Sequence, residues 1–77
     1  MYRLMIVDDE KIIRDGLCSI IRWNELGFEV AAVAQNGADA LRMLEQQPVD
    51  VLLTDIQMPQ INGLHLARLA HEINPKI

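Results

Sequence analysis

Short apolar runs alternate with helix-periodic segments three times along this 77-residue chain, and that rhythm admits few folds. Arg3 to Val7 is apolar and strand-length, the pattern of a strand buried on both faces. Lys11 to Ile21 follows, with Ile13, Leu17, Ile20 and Ile21 on one helical face and Ile12 widening it. Gly16 lies inside this helix, where it suits close packing on a strand. After a loop ending at Gly27, a residue suited to a left-handed stop, Phe28 to Ala34 reads as a second strand. Asn36 is a good N-cap for a helix from Ala38 to Gln47, with Ala40, Leu41 and Leu44 inward, and Pro48 stops it. Val49 to Thr54 is the third strand, and Asp55 to Asn62 is a loop. Asn62 caps a third helix, Gly63 to Glu72, with Leu64, Ala67, Leu66 and Ala70 as its inward candidates. Strands alternating with helices predict an α/β fold, a parallel sheet joined by right-handed crossovers.

In open sheets of this kind the ligand crevice lies outside the carboxyl ends of the strands. Two of the three runs end in acid there: Asp8-Asp9-Glu10 after the first, Asp55 after the third. If those strands are neighbours, three aspartates share one crevice. Carboxylates so close repel one another unless a cation sits between them or some lose their charge. Mg²⁺ takes oxygen ligands and keeps several waters. Asp9 and Asp55 suit direct ligation, Asp8 ligation through water, and the carbonyl of Gln57 stands two residues past Asp55, within reach of a tight loop. Asp55 stands alone at its strand end and fits the role of phosphoryl acceptor, since aspartate carboxylates form aspartyl-phosphate.

Composition limits the alternatives. Hydrophobic residues are 51% and charged residues 23%, enough for a packed core. A formal net charge of −4 argues against nucleic-acid binding by this segment itself. The single cysteine, Cys18, cannot form an internal disulfide, which fits a cytoplasmic protein. The apolar start is interrupted by Asp8 too soon for a signal peptide or membrane span. His65 and His71 do not share a metal-binding face, and Trp23 reads as a loop anchor.

Ile6-Val7-Asp8-Asp9-Glu10 together with Leu53-Thr54-Asp55-Ile56-Gln57-Met58-Pro59-Gln60-Ile61-Asn62-Gly63 resembles the response-regulator receiver domain, the phosphoacceptor module of bacterial two-component signalling. The Asn36-Gly37 pair also fits, and the stretch Trp23 to Phe28 is similar to receivers joined to AraC-type DNA-binding domains. The resemblance covers essentially the whole chain. It implies a partial doubly wound, flavodoxin-like sheet of order 2-1-3. It implies Asp55 as the phosphorylated residue, an Mg²⁺ seat at Asp8, Asp9, Asp55 and the Gln57 carbonyl, and a sensor histidine kinase as phosphoryl donor. It further implies that residues 1–77 are the N-terminal part of a receiver, the last two βα units and their Ser/Thr and Lys lying beyond Ile77. Lys76 precedes the expected fourth strand and does not supply that lysine.

The chain is thereby expected to be a phosphoacceptor signalling domain rather than an enzyme, weak in metal binding, impaired in switching and phosphorylated slowly or not at all, with nucleic acid reached only through an output domain. It is also expected to self-associate through the exposed edge of its third strand. Two alternatives stand beside it: a half-domain with an assembly role, and an aspartate-dependent phosphatase. The D-x-D spacing of haloacid-dehalogenase phosphatases is absent from Asp8-Asp9-Glu10, which weakens the second.

Overall fold

The computed structural model describes residues 1–77. Its elements run β1 (Tyr2–Val7), α1 (Lys11–Ile20), a single 3₁₀ turn (Trp23–Leu26), β2 (Phe28–Ala34), α2 (Gly37–Gln46), β3 (Val51–Thr54) and α3 (Gly63–Ile73). The three strands form one parallel sheet in the order β2-β1-β3. The alternation of runs and helices thus becomes the α/β architecture it predicts, with β1 in the centre. Leu4, Met5, Ile6 and Val7 are all buried, as a strand with a neighbour on each edge and helices on both faces requires.

Met5 and Val7 join Ala34, Ala40, Leu44, Val49, Met58, Leu66 and Ala70 in one apolar core under α2 and α3. The caps expected from the sequence form. Asn36 accepts the amide of Asp39 at 2.7 Å, and Asn62 accepts that of His65 at 2.8 Å. Gly27 closes the 3₁₀ turn at φ 88°, a conformation that disfavours any side chain. Trp23 is the loop anchor expected of it: its indole N–H donates to the Leu17 carbonyl at 2.8 Å and its ring meets Phe28 edge-on.

Three expectations are corrected. In α3, Leu66 and Ala70 are buried, but Leu64 and Ala67 face outward, Leu64 at 68% exposure. The phase is set at Gly63, which lies against the Asp55 carbonyl and fixes positions 63, 66 and 70 on the inner face. In α1 no residue is buried, and Ile12 and Ile20 are more than three-quarters exposed. That helix packs chiefly on β1, and its apolar face is only partly covered. Gly16 makes no close approach to the sheet, since a Cβ there would meet only its own helix's Ile20 at 3.8 Å.

Candidate functional site

The carboxyl ends of β1 and β3 are held level by backbone hydrogen bonds. Val7 pairs with Thr54, and one step further the amide of Asp55 donates to the Val7 carbonyl at 3.2 Å. On the other side, the amide of Asp8 donates to the Ala34 carbonyl at 3.2 Å. Neighbouring residues in register on adjacent strands present their side chains to the same side. Asp8 and Asp55 therefore leave the rim together, and Asp9 follows at the turn into α1. Carboxylate oxygens of Asp8, Asp9 and Asp55 lie within 4.8 Å of one another.

Each acid has a distinct environment. Asp8 is buried, and its Oδ1 accepts the amide of Glu10 at 2.9 Å. Its backbone carbonyl accepts from Nη1 of Arg14 at 2.8 Å. Asp9 is exposed and Asp55 half-buried, and Asp55 Oδ1 accepts the Gln57 amide at 3.3 Å. Glu10 occupies the N-cap position of α1 without a side-chain cap bond. Nearby on α1, the Lys11 ammonium donates to Asp15 at 2.8 Å and holds that carboxyl below its ordinary pKa, with Arg14 adding a smaller effect. An open groove lined by Val7, Asp8, Glu10, Ile13, Leu17, Leu53, Thr54 and Asp55 leads into the cluster.

The β3–α3 loop folds back beneath the rim. Met58 is buried in the core and the amide of Gly63 donates to the Ile56 carbonyl at 2.8 Å. A Cβ at Gly63 would stand 2.2 Å from the Asp55 carbonyl oxygen and 2.8 Å from the Ile56 Cα. Only glycine allows the helix to begin against the backbone of Asp55 and Ile56. The loop turns through Gln60 at φ 66°, a left-handed conformation that a side-chain-bearing residue rarely adopts.

Sequence reasoning brings together the acids that the structure brings together. It overlooks Arg14, whose role depends on a reach of one and a half helical turns back to Asp8, and it overlooks Arg3 at the opposite rim. Arg3 donates to the Pro48 carbonyl, Glu29 and Gln47, and its amide donates to Asp50. A cation flanked by acids at both ends of its neighbouring strands is a faint signal, because exposed ion pairs have no fixed spacing in sequence.

The family model for the response regulator receiver domain matches residues 4–77. The chain is 40% identical over 72 residues to the transcriptional regulatory protein HptR of Staphylococcus aureus, a match that spans 92% of this chain and 29% of that relative. Among solved structures, the REC domain of AraT from Geobacillus stearothermophilus superposes with a TM-score of 0.87 at 43% identity, over 97% of this chain and 58% of that one. A two-component transcriptional regulator AraC from Clostridium phytofermentans gives 0.90 at 38% identity, over 99% and 61%. This chain belongs to the response regulator receiver family of two-component systems. It spans under a third of the curated relative's length and about three-fifths of the two solved chains.

Proposed function

We propose that Asp55 accepts a phosphoryl group from the phosphohistidine of a sensor kinase. The observation that supports this reading is the convergence of Asp8, Asp9 and Asp55 at the ends of two adjacent parallel strands. In the transfer, an Asp55 oxygen attacks phosphorus, the new O–P bond forms as the P–N bond breaks, and the imidazole departs with the electron pair. Oδ1 of Asp55 accepts the Gln57 amide, which leaves Oδ2 as the freer nucleophile.

The three side-chain donors are all carboxylates, a hard-oxygen set that fits Mg²⁺. Asp8, Asp9, Asp55 and the Gln57 carbonyl would hold the ion. When bound, it neutralises charge that would otherwise repel an incoming phosphoryl group. The Glu10 amide orients Asp8, and the Gln57 amide orients Asp55, before any donor arrives.

The chain acts in this reading as a cytoplasmic signalling module rather than an enzyme. In this reading a longer protein would carry an output domain that controls transcription, AraC-type output being one form; the similar proteins HptR and the Clostridium phytofermentans AraC are transcriptional regulators. No helix is long and apolar enough to cross a membrane. The remaining two βα units of a receiver, with their hydroxyl and ammonium groups, would lie beyond Ile77. Incubation with acetyl phosphate and Mg²⁺, followed by intact-mass spectrometry, tests the assignment. A slowly accumulating phosphoryl adduct is expected on the wild type and not on Asp55→Asn. A wild type that gains none contradicts a phosphoacceptor role for this chain.

A second reading rests on the position of β3 at the sheet edge, with Leu53 37% exposed. An open apolar edge offers unpaired backbone groups to another strand. Self-association through it predicts a dimer in sedimentation velocity at micromolar concentration, unaffected by Mg²⁺ or Asp55→Asn. A monodisperse monomer contradicts it.

A further inference from the structure

We infer that Arg14 is a positioning residue for the cation seat. The inference rests on the phosphoacceptor reading above and adds to it a group that touches neither the phosphoryl acceptor nor any carboxylate of the cluster. Arg14 is half-buried on the first turn and a half of α1, and its amide donates to the Glu10 carbonyl at 3.0 Å as the helix begins. Its side chain runs back along the helix, and Nη1 donates to the backbone carbonyl of Asp8 at 2.8 Å. That carbonyl belongs to the peptide joining Asp8 to Asp9. Holding it fixes the plane of the peptide and with it the direction in which the Asp9 side chain leaves the chain.

Two roles are open to a guanidinium beside three carboxylates, and the contacts separate them. An arginine that competes with the metal would pair with a carboxylate. Arg14 forms none of the chain's four ion pairs, whereas its neighbour Lys11 pairs with Asp15. Its Nη1 donates to a carbonyl instead, and it takes up no carboxylate oxygen of the cluster. Asp8 is then gripped at two points: the Glu10 amide holds its Oδ1, and Arg14 holds its carbonyl. The exposed Asp9 has no side-chain partner of its own, so it depends on this clamp for its orientation. Outer partners that orient metal ligands typically change affinity by about 10–100-fold when removed.

Calorimetric titration of the 77-residue chain with Mg²⁺ tests the inference, with far-UV circular dichroism as the check on folding. Arg14→Ala is expected to weaken Mg²⁺ binding by roughly tenfold. Arg14→Lys, which keeps a donor on a long stem, is expected to recover most of that loss. Lys11→Ala, which removes an equal charge from the same helix, is expected to leave the affinity within about twofold. Phosphorylation by acetyl phosphate separates positioning from chemistry. In Arg14→Ala the Mg²⁺ concentration for half-maximal rate rises while the rate at saturating Mg²⁺ stays near that of the wild type. Where Arg14→Ala does not fold, Arg14→Met retains the apolar stem without the donor and serves the same comparison. Unchanged or tighter Mg²⁺ binding in the folded variant overturns the inference, tighter binding showing that the guanidinium competes with the ion. A wild type that binds no Mg²⁺ overturns both this inference and the reading on which it rests.

Discussion

The two ends of β1 are built on opposite electrostatic plans. At the amino end, Arg3 is surrounded by acceptors: the Pro48 carbonyl, Glu29, Gln47 and, through its amide, Asp50. One cation there ties β1 to β2 and to the α2–β3 connection, and the donors and acceptors balance. At the carboxyl end, Asp8, Asp9 and Asp55 crowd within 4.8 Å with no ion pair among them. The first arrangement is a stabilising clasp. The second sets like charges side by side, and the β1–β3 register imposes it. A balanced rim serves the fold, and the unbalanced one is where the proposed ion would supply the missing charge.

Four substitutions put this contrast to the test. The largest effect belongs to Gly63→Ala, which drives a methyl group into the backbone of Asp55 and Ile56. It is expected to cost about 3 kcal/mol in urea unfolding and to disturb the acidic rim as well. Arg3→Ala is expected to cost about 1–2 kcal/mol, because several partners are lost at a half-exposed site, while Mg²⁺ affinity stays unchanged. A coupled loss of Mg²⁺ binding there would show that the two rims are not independent. Asp55→Asn is expected to stabilise the metal-free chain by up to about 1 kcal/mol through relief of repulsion. Added Mg²⁺ should raise the melting temperature of the wild type and leave that of this variant nearly unchanged, since only a bound ligand shifts the equilibrium. The smallest effect is Gln60→Asn, expected to gain roughly 0.5 kcal/mol because asparagine tolerates the left-handed backbone at φ 66° better.

The balanced rim was the less legible of the two in sequence. Acids following strand-like runs announce a site because topology carries strand ends to a common crevice, so Asp8, Asp9 and Asp55 could be assembled from position alone. The caps at Asn36 and Asn62 were readable because they depend on residues three apart. Arg3 gathers partners 26 to 47 residues away, a convergence that no local pattern records. The phase of α3 was misjudged for a related reason. Leu64 and Leu66 are equally apolar, and the contact of Gly63 with the Asp55 backbone decides which of them turns inward. In α1 periodicity marks an apolar face but not how little of it the sheet covers, and Ile12, Ile13 and Ile20 stay exposed. A hydrophobic stripe reports what a helix can bury, and its neighbours determine what it does bury.

In the proposed site one divalent ion sits among the three aspartates, beside the oxygen of Asp55 that would take the phosphoryl group. Mn²⁺ shares the octahedral oxygen preference of Mg²⁺ and broadens nearby amide resonances, so a Mn²⁺ titration followed by amide NMR locates the ion directly. Broadening centred on residues 8–10 and 55–58, displaced by excess Mg²⁺ and sparing the Arg3 rim, is the predicted result. Broadening centred on other acids, or spread evenly over the surface, contradicts the account.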